Sequence, residues 1–212
     1  MLTTGAGRAR ELPHELVRGN REARHDLEIH ANSLVESHRE CHTAGMSRRP
    51  VDIVEGPRVE ERPQTATLGI RESVPFRTML SNRDRLLAEL VAWLNERGIE
   101  PAGHFFLRLH VVDMAGIMDI EVGVEAEAAA SDDRVRVGTL PAGHYALLDY
   151  RSTSLAANGL LRDWVSEQGL RLDLEDTPAG EAFAARCEVY ITDPRTERRK
   201  TKWVVQLAFL LR

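Results

Sequence analysis

Two strand-like runs in this 212-residue chain carry the residues best placed for chemistry, a carboxylate and an amide. In Asp119-Ile-Glu-Val-Gly-Val124, alternation sends Ile120, Val122 and Val124 to one face and Asp119, Glu121 and Gly123 to the other. In Val205-Gln-Leu-Ala-Phe209 the apolar set is Val205, Leu207 and Phe209, so Gln206 and Ala208 are the counterparts of Glu121 and Gly123. A polar group followed two residues later by a very small one leaves space on that face. If the face lines a cavity, Glu121 and Gln206 approach it from symmetry-related sides; the alternative is a solvent-exposed strand face. A carboxylate in an apolar, aromatic-lined cavity attracts a cation or acts as a general acid or base. Burial raises its pKa, which suits proton transfer and weakens its hold on a cation. Phe106, Tyr145, Trp164 and Tyr190 are the candidate aromatic walls. Tyr190 alternates with Val189 and Ile191, so it is expected to reach the cleft while they pack the core. Its hydroxyl there orients a ligand or bonds a carboxylate, unless the tyrosine is purely structural.

Other reactive residue types lack company. His110 and His144 have no carboxylate or cysteine at ligand spacing, which predicts packing or surface roles. Ser152, Thr153 and Ser154 read as a helix N-cap, because no Gly-x-Ser-x-Gly elbow surrounds them. Arg195–Lys202 is charged but mixed in sign and free of aromatic residues, the pattern of a solvated loop rather than a nucleic-acid patch. Cys41 and Cys187 make no disulfide framework and no C-x-x-C pair. Neither a metal nor a cofactor is expected.

These residues need elements to hold them. Residues 93–99, Trp-Leu-Asn-Glu-Arg-Gly-Ile, match residues 164–170, Trp-Val-Ser-Glu-Gln-Gly-Leu, and both stretches read as helix ends. The first helix is expected to open at Ser81 with Asp84 three residues on, a weak capping box. Leu86, Leu87, Leu90, Trp93 and Leu94 form its apolar stripe and Gly98 its left-handed stop. The second, about 155–168, buries Leu160, Leu161, Trp164 and Val165 and stops at Gly169. The two tryptophans read as core anchors. Strand patterns at 65–72, 105–112 and 118–124 surround the first helix; 135–137, 145–150, 187–192 and 203–211 surround the second. A further strand is expected near Val51–Val54 or Val59. The fold class predicted is α+β: two pseudo-symmetric β-α-β-β repeats, an antiparallel sheet with two helices on one face, and a ligand cleft.

The ordered series Leu140-Pro-Ala-Gly-His-Tyr-Ala-Leu-Leu-Asp-Tyr-Arg151, Asp163-Trp-Val-Ser-Glu-Gln-Gly-Leu170 and Glu188-Val-Tyr-Ile-Thr-Asp-Pro194 resembles the GyrI-like domain. That is the effector-binding module also fused to AraC- and MerR-type regulators, and the resemblance covers about residues 50–212. It implies two β-α-β-β repeats around a cleft for small, often lipophilic or cationic, molecules; some members resemble hydrolases of cyclopropane-bearing compounds. The family's last strand has glutamate where this chain has Gln206, which weakens the transfer of cation binding and of hydrolysis. Glu121 is left as the remaining acid and, in a hydrolase, as the base assisted by Tyr190.

Residues 1–45 contain no aromatic residue, five of the eight histidines, six arginines and seven acids. So little to bury does not offset the entropy of ordering. His38 and His42 at helical spacing beside Cys41 suggest a metal tail; the plainer reading is a solvated or disordered extension. Met46 is expected to be the initiator, with 1–45 an upstream translation and 46–212 the domain. The segment is too short and irregular for the DNA-binding helices of the regulators. A net charge of −5 favours neither nucleic acid nor an anionic membrane. No apolar run approaches the roughly 18 residues of a membrane span, no secretory signal opens the chain, and a cytoplasmic location follows. The function expected is binding of a small molecule, to sense or sequester it. The alternatives are a hydrolase of strained electrophiles and a protein-interaction module of the gyrase-inhibitor type.

Overall fold

The computed structural model describes residues 51–127 and 130–212. The expectations for 1–45, the Met46 boundary and the His38–Cys41–His42 group lie outside the described residues.

Among the described residues ten strands and two α-helices follow one another as β1 (Asp52–Arg62), β2 (Thr65–Pro75), α1 (Met79–Arg97), β3 (Phe105–Val112), β4 (Ile117–Glu125), β5 (Arg136–Leu140), β6 (Gly143–Arg151), α2 (Ser154–Glu167), β7 (Leu174–Thr177), β8 (Gly180–Phe183), β9 (Arg186–Tyr190) and β10 (Val205–Leu210). They form one antiparallel sheet in the order β1-β6-β10-β9-β3-β4-β2-β5, with the β7–β8 hairpin attached through β8 to the far end of β3. Both β-α-β-β units are present, as β2-α1-β3-β4 and β6-α2-β9-β10. They meet at the β9–β3 pair, where Phe105 faces Tyr190 and Phe106 faces Val189. The outermost strands cross over: β1 pairs with β6 and β5 pairs with β2, so each unit's edge is covered from the other side of the chain. Covering an edge removes unpaired backbone groups that would otherwise recruit another strand.

Both helices lie on one face. α1 packs on β4 and β2, α2 on β6 and β10, and the β9–β3 seam runs between them. The main core joins Leu86, Leu90 and Trp93 of α1 and Ala157, Leu161 and Val165 of α2 to inward strand residues such as Leu68, Leu107, Ile120, Leu148 and Leu207. A second, smaller cluster holds the opposite face and contains no helical residue: Phe106, Tyr145, Leu147, Cys187, Val189 and Ala208 are among its members. Trp93 is well buried and Trp164 packs half-buried against the main core.

The helix ends follow the glycines: Gly98 (φ 62°) and Gly169 (φ 68°) are left-handed, and the next amides, Ile99 and Leu170, donate back to Leu94 and Val165. The start of α1 differs from expectation. A 3-10 turn, Phe76–Thr78, runs straight into the helix, so it begins at Met79 and no capping box forms. Ser81 instead donates back to the Thr78 carbonyl, and Asp84 pairs with Arg83 and Lys200. The β7–β8 hairpin was not anticipated; its four-residue strands have no clean alternation to announce them.

Candidate functional site

Alternation along the central strands deals the polar residues to two faces. On the open face, away from the helices, lies a cavity of about 400 Å³ lined by Arg58 and Arg62 of β1, Leu140, Tyr145, Val189, Gln206 and Ala208, with Glu125 and His104 also on its wall. Gln206 accepts from Arg62 Nη2 at 2.5 Å and donates from Nε2 to Asp149 Oδ1 at 2.7 Å. Tyr145 donates to the Pro141 carbonyl at 2.7 Å, and burial pushes its phenol up to about 12. Burial likewise raises the Cys187 thiol to about 12.

The cavity lies on one side only, for a reason visible in the register. Phe106 is paired with Gly123, and its ring fills the space that the missing Cβ vacates, coming within 2.3 Å of where that atom would be. On the other side the matching cross-strand pair is Cys187 and Ala208, two small residues, and the space stays open. Glu121 is therefore not on the cavity wall. Its carboxylate lies over Gly69 and accepts or shares a proton with His110 Nε2 at 2.7 Å. The expectation that Glu121 and Gln206 converge on one cavity is corrected. So is the isolation of His110: a register shift after Leu109 presents it beside Glu121, and sequence spacing does not reveal such a bulge.

On the helix face, the β9–β3 seam carries a second polar group. Glu188 is only 6 % exposed; it accepts from Ser154 Oγ at 2.5 Å and from Asn158 Nδ2 at 3.3 Å, both on the first turns of α2. Tyr190 and Tyr150 are buried on the same face. The Tyr190 hydroxyl is buried without a hydrogen-bond partner among the described residues. Burial drives both phenols' pKa values upward, the Glu188 charge adds to the rise, and the Arg83 guanidinium opposes it. Arg83, on α1, is a largely buried cation that pairs with Asp84 and lies near enough to Tyr190 and Glu188 for their charges to be felt. Arg186 is pushed down to about 10, chiefly by burial; it donates to Asn158 and stacks on Phe183 and Phe209.

Of the six candidates, Tyr145 and Gln206 line the open-face cavity, Phe106 packs in the cluster beneath that face, and Glu121 stands apart with His110. Tyr190 and Trp164 belong to the helix side. Tyr190 alternates with Val189 as expected, but the assignment of faces was reversed: Val189 meets the cavity and Tyr190 enters the core. Glu121 and Tyr190 thus lie on opposite faces and cannot act together on one substrate. The acid on Tyr190's own face is Glu188, two residues earlier; the sequence reading missed it, although alternation within Glu188-Val-Tyr190 could have found it. Ser154 starts α2, but no side chain caps that helix. The Arg195–Lys202 segment joins β9 to β10 and is held by ion pairs such as Arg195–Asp193 and Arg199–Glu197. Among the described residues no cluster of His, Cys, Asp or Glu is placed to hold a metal, and no described helix is long and apolar enough to cross a membrane.

The sequence matches no family model and no curated protein. Solved structures do match. EcmrR, in its complex with DNA, superposes with a TM-score of 0.57 at 15 % identity over 94 % of this chain and 72 % of that one. SAV2435 bound to tetraphenylphosphonium gives 0.51 at 11 % identity, covering 74 % and 94 % of the two chains. An uncharacterized conserved protein from Listeria innocua gives 0.51 at 11 % identity, covering 75 % and 94 %. The chain has the GyrI-like effector-binding fold. At these identities the likeness is one of fold, and function has to be argued from the site. Two groups of polar residues of different character lie back to back across the one sheet.

Proposed function

We propose that the domain binds a small lipophilic molecule, with a preference for cations, on the helix-bearing face of the sheet at Glu188, where α1 and α2 part to admit it. The observation that carries this reading is Glu188: a carboxylate almost removed from water, set among Tyr150 and Tyr190, between two helices that pack on different strands. Desolvation of an acid is costly unless a positive or donor group compensates, and here Ser154, Asn158 and the nearby Arg83 do so. Arg83 acts as the resident cation, and a ligand cation that reaches Glu188 takes over its role. Aromatic rings around a carboxylate also favour a bulky organic cation over a small hydrated one, because their faces attract charge that has little hydration to lose. The binding of tetraphenylphosphonium by SAV2435, a structure of the same fold, supports the choice of ligand class. The role that follows is sensing or sequestering such a molecule.

Titration calorimetry on the full chain tests it, with tetraphenylphosphonium as probe and triphenylphosphine oxide as neutral control. The cation is expected to bind more tightly, and Glu188→Gln is expected to cost it about tenfold, roughly 1.4 kcal/mol. The neutral control is expected to change little. Equal affinities for the two probes, or no effect of Glu188→Gln, would remove the reading.

A second reading has its own observation. Glu188 and Tyr190 share a face two residues apart, a general base beside a phenol, which is the arrangement the hydrolase alternative requires. Turnover of a cyclopropane-bearing electrophile that is lost in both Glu188→Gln and Tyr190→Phe would establish it.

A further inference from the structure

The open-face cavity is separated from Glu188 by the thickness of the sheet, and two arginines stand on its wall. Arg58, Glu60 and Arg62 alternate along β1, so all three point to the cavity side. Arg58 is short of partners. Its nitrogens stand 3.6 Å from Glu55, 3.8 Å from Glu60 and 3.7 Å from Asp149, whereas a charge-assisted hydrogen bond closes to about 2.7–2.9 Å. Among the described residues the Arg58 side chain makes no hydrogen bond, and its Nη1 is buried without a partner.

Arg62 is held from two sides. Its one hydrogen bond is to the amide oxygen of Gln206 at 2.5 Å, and it forms an ion pair at 3.5 Å with Glu60, which is half exposed. An amide at position 206 fixes the guanidinium in place without adding a second carboxylate to Glu60; a glutamate there would add one. Between the arginines and the far wall the floor is apolar, made by Leu140, Tyr145, Val189 and Ala208. At about 400 Å³ the cavity falls within the roughly 300–1,000 Å³ usual for small-molecule sites.

We infer that this cavity is a second ligand site, for a monocarboxylate with an apolar body: the carboxylate is received by Arg58 and Arg62, and the body lies on Tyr145, Val189 and Ala208. Glu125 at the far wall sets the charge of the ligand. It repels a second carboxylate at the apolar end, so a dicarboxylate is excluded. The site is independent of the cationic reading of the helix-face cleft.

The experiment is calorimetry on the full chain with 2-naphthoate, with 2-naphthalenemethanol as neutral control. Naphthoate is expected to bind roughly tenfold or more tightly than the alcohol, the scale of a charge-assisted contact at a half-exposed site. Arg62→Gln is expected to lose about that factor. Ile191 is an exposed residue on the cavity wall, so Ile191→Glu adds a repelling carboxylate without disturbing the core and is expected to weaken naphthoate similarly. Glu188→Gln serves as the control and is expected to leave naphthoate unchanged. Absence of naphthoate binding, equal affinity for acid and alcohol, or indifference to both Arg62→Gln and Ile191→Glu would overturn the inference. A loss in Glu188→Gln would place the naphthoate in the helix-face cleft and overturn it as well.

Discussion

Gln206 Nε2 donates to Asp149 Oδ1 at 2.7 Å across the β6–β10 pair, and Asp149 is 8 % exposed. The amide donates to this carboxylate and accepts from Arg62 without having to take up a proton. Gln206→Glu replaces the donor with a second carboxylate against Asp149. Two such acids cannot both ionise at that distance, so the pair takes up a proton and its folded-state pKa rises. The variant is expected to lose about 1–3 kcal/mol at pH 7, the scale of a buried partner left unsatisfied. A raised acid pKa disfavours the fold above that pKa, so the deficit should shrink as pH falls toward the ordinary carboxylate range. Urea denaturation at pH 7 and pH 4 measures it, and equal deficits at both would contradict the contact.

Arg83 is the cation already facing Glu188 and Tyr190. Arg83→Met keeps the aliphatic stem and removes the competing charge. It is expected to raise tetraphenylphosphonium affinity about three- to tenfold, modest because the site must still open. A fall in affinity would show that Arg83 holds the cleft in shape instead of competing for it.

Trp93 is buried in the main core, donates Nε1 to Asp132 Oδ2 at 2.6 Å, and carries Arg97 stacked 4.2 Å above its ring. Trp93→Ala is expected to cost about 3–5 kcal/mol, the usual range for deleting a buried large aromatic. An unchanged denaturation midpoint would contradict the packing.

Asp132 is held at about 2, chiefly by the Trp93 donor and then by the amides of Val135 and Arg134. An acid whose folded pKa is depressed contributes stability above its unfolded value, near 4, and loses it as pH falls through the folded one. Asp132→Asn is therefore expected to be destabilised at pH 6 and to converge on the wild type as pH approaches 2. Parallel melting curves over the whole range would argue against the depressed pKa.

Cys187 faces the open-face cavity, yet burial raises its thiol to about 12. Thiolate is the reactive form, so native protein at pH 8 should leave the Cys187 peptide unmodified by iodoacetamide over a period in which urea-unfolded protein is fully labelled. Peptide mass spectrometry reads this directly. Rapid labelling in the native state would mean that the cavity opens far more than the structure shows.

Short-range pattern determined a good deal of this protein. Apolar spacing and Gly98 and Gly169 are local signals, and they placed both helix stripes and both stops; alternation separated the two faces of β4 and β10. Local spacing also showed that Gln206 and Ala208 share a face. What it left open was which face meets the helices, because an alternating strand buried on both sides reads the same from either. Tertiary packing decided that: the helices cover Tyr190, and Val189 turns to the cavity. It also decided that Phe106 fills the space over Gly123 while Cys187 leaves the space over Ala208 open, a difference set by cross-strand register between residues 17 and 21 positions apart. The His110–Glu121 contact depends on a bulge, and the crossing of β1 to β6 brings Arg62 to Gln206 from 144 residues away. Such contacts are chosen by strand order and register, which no local window contains.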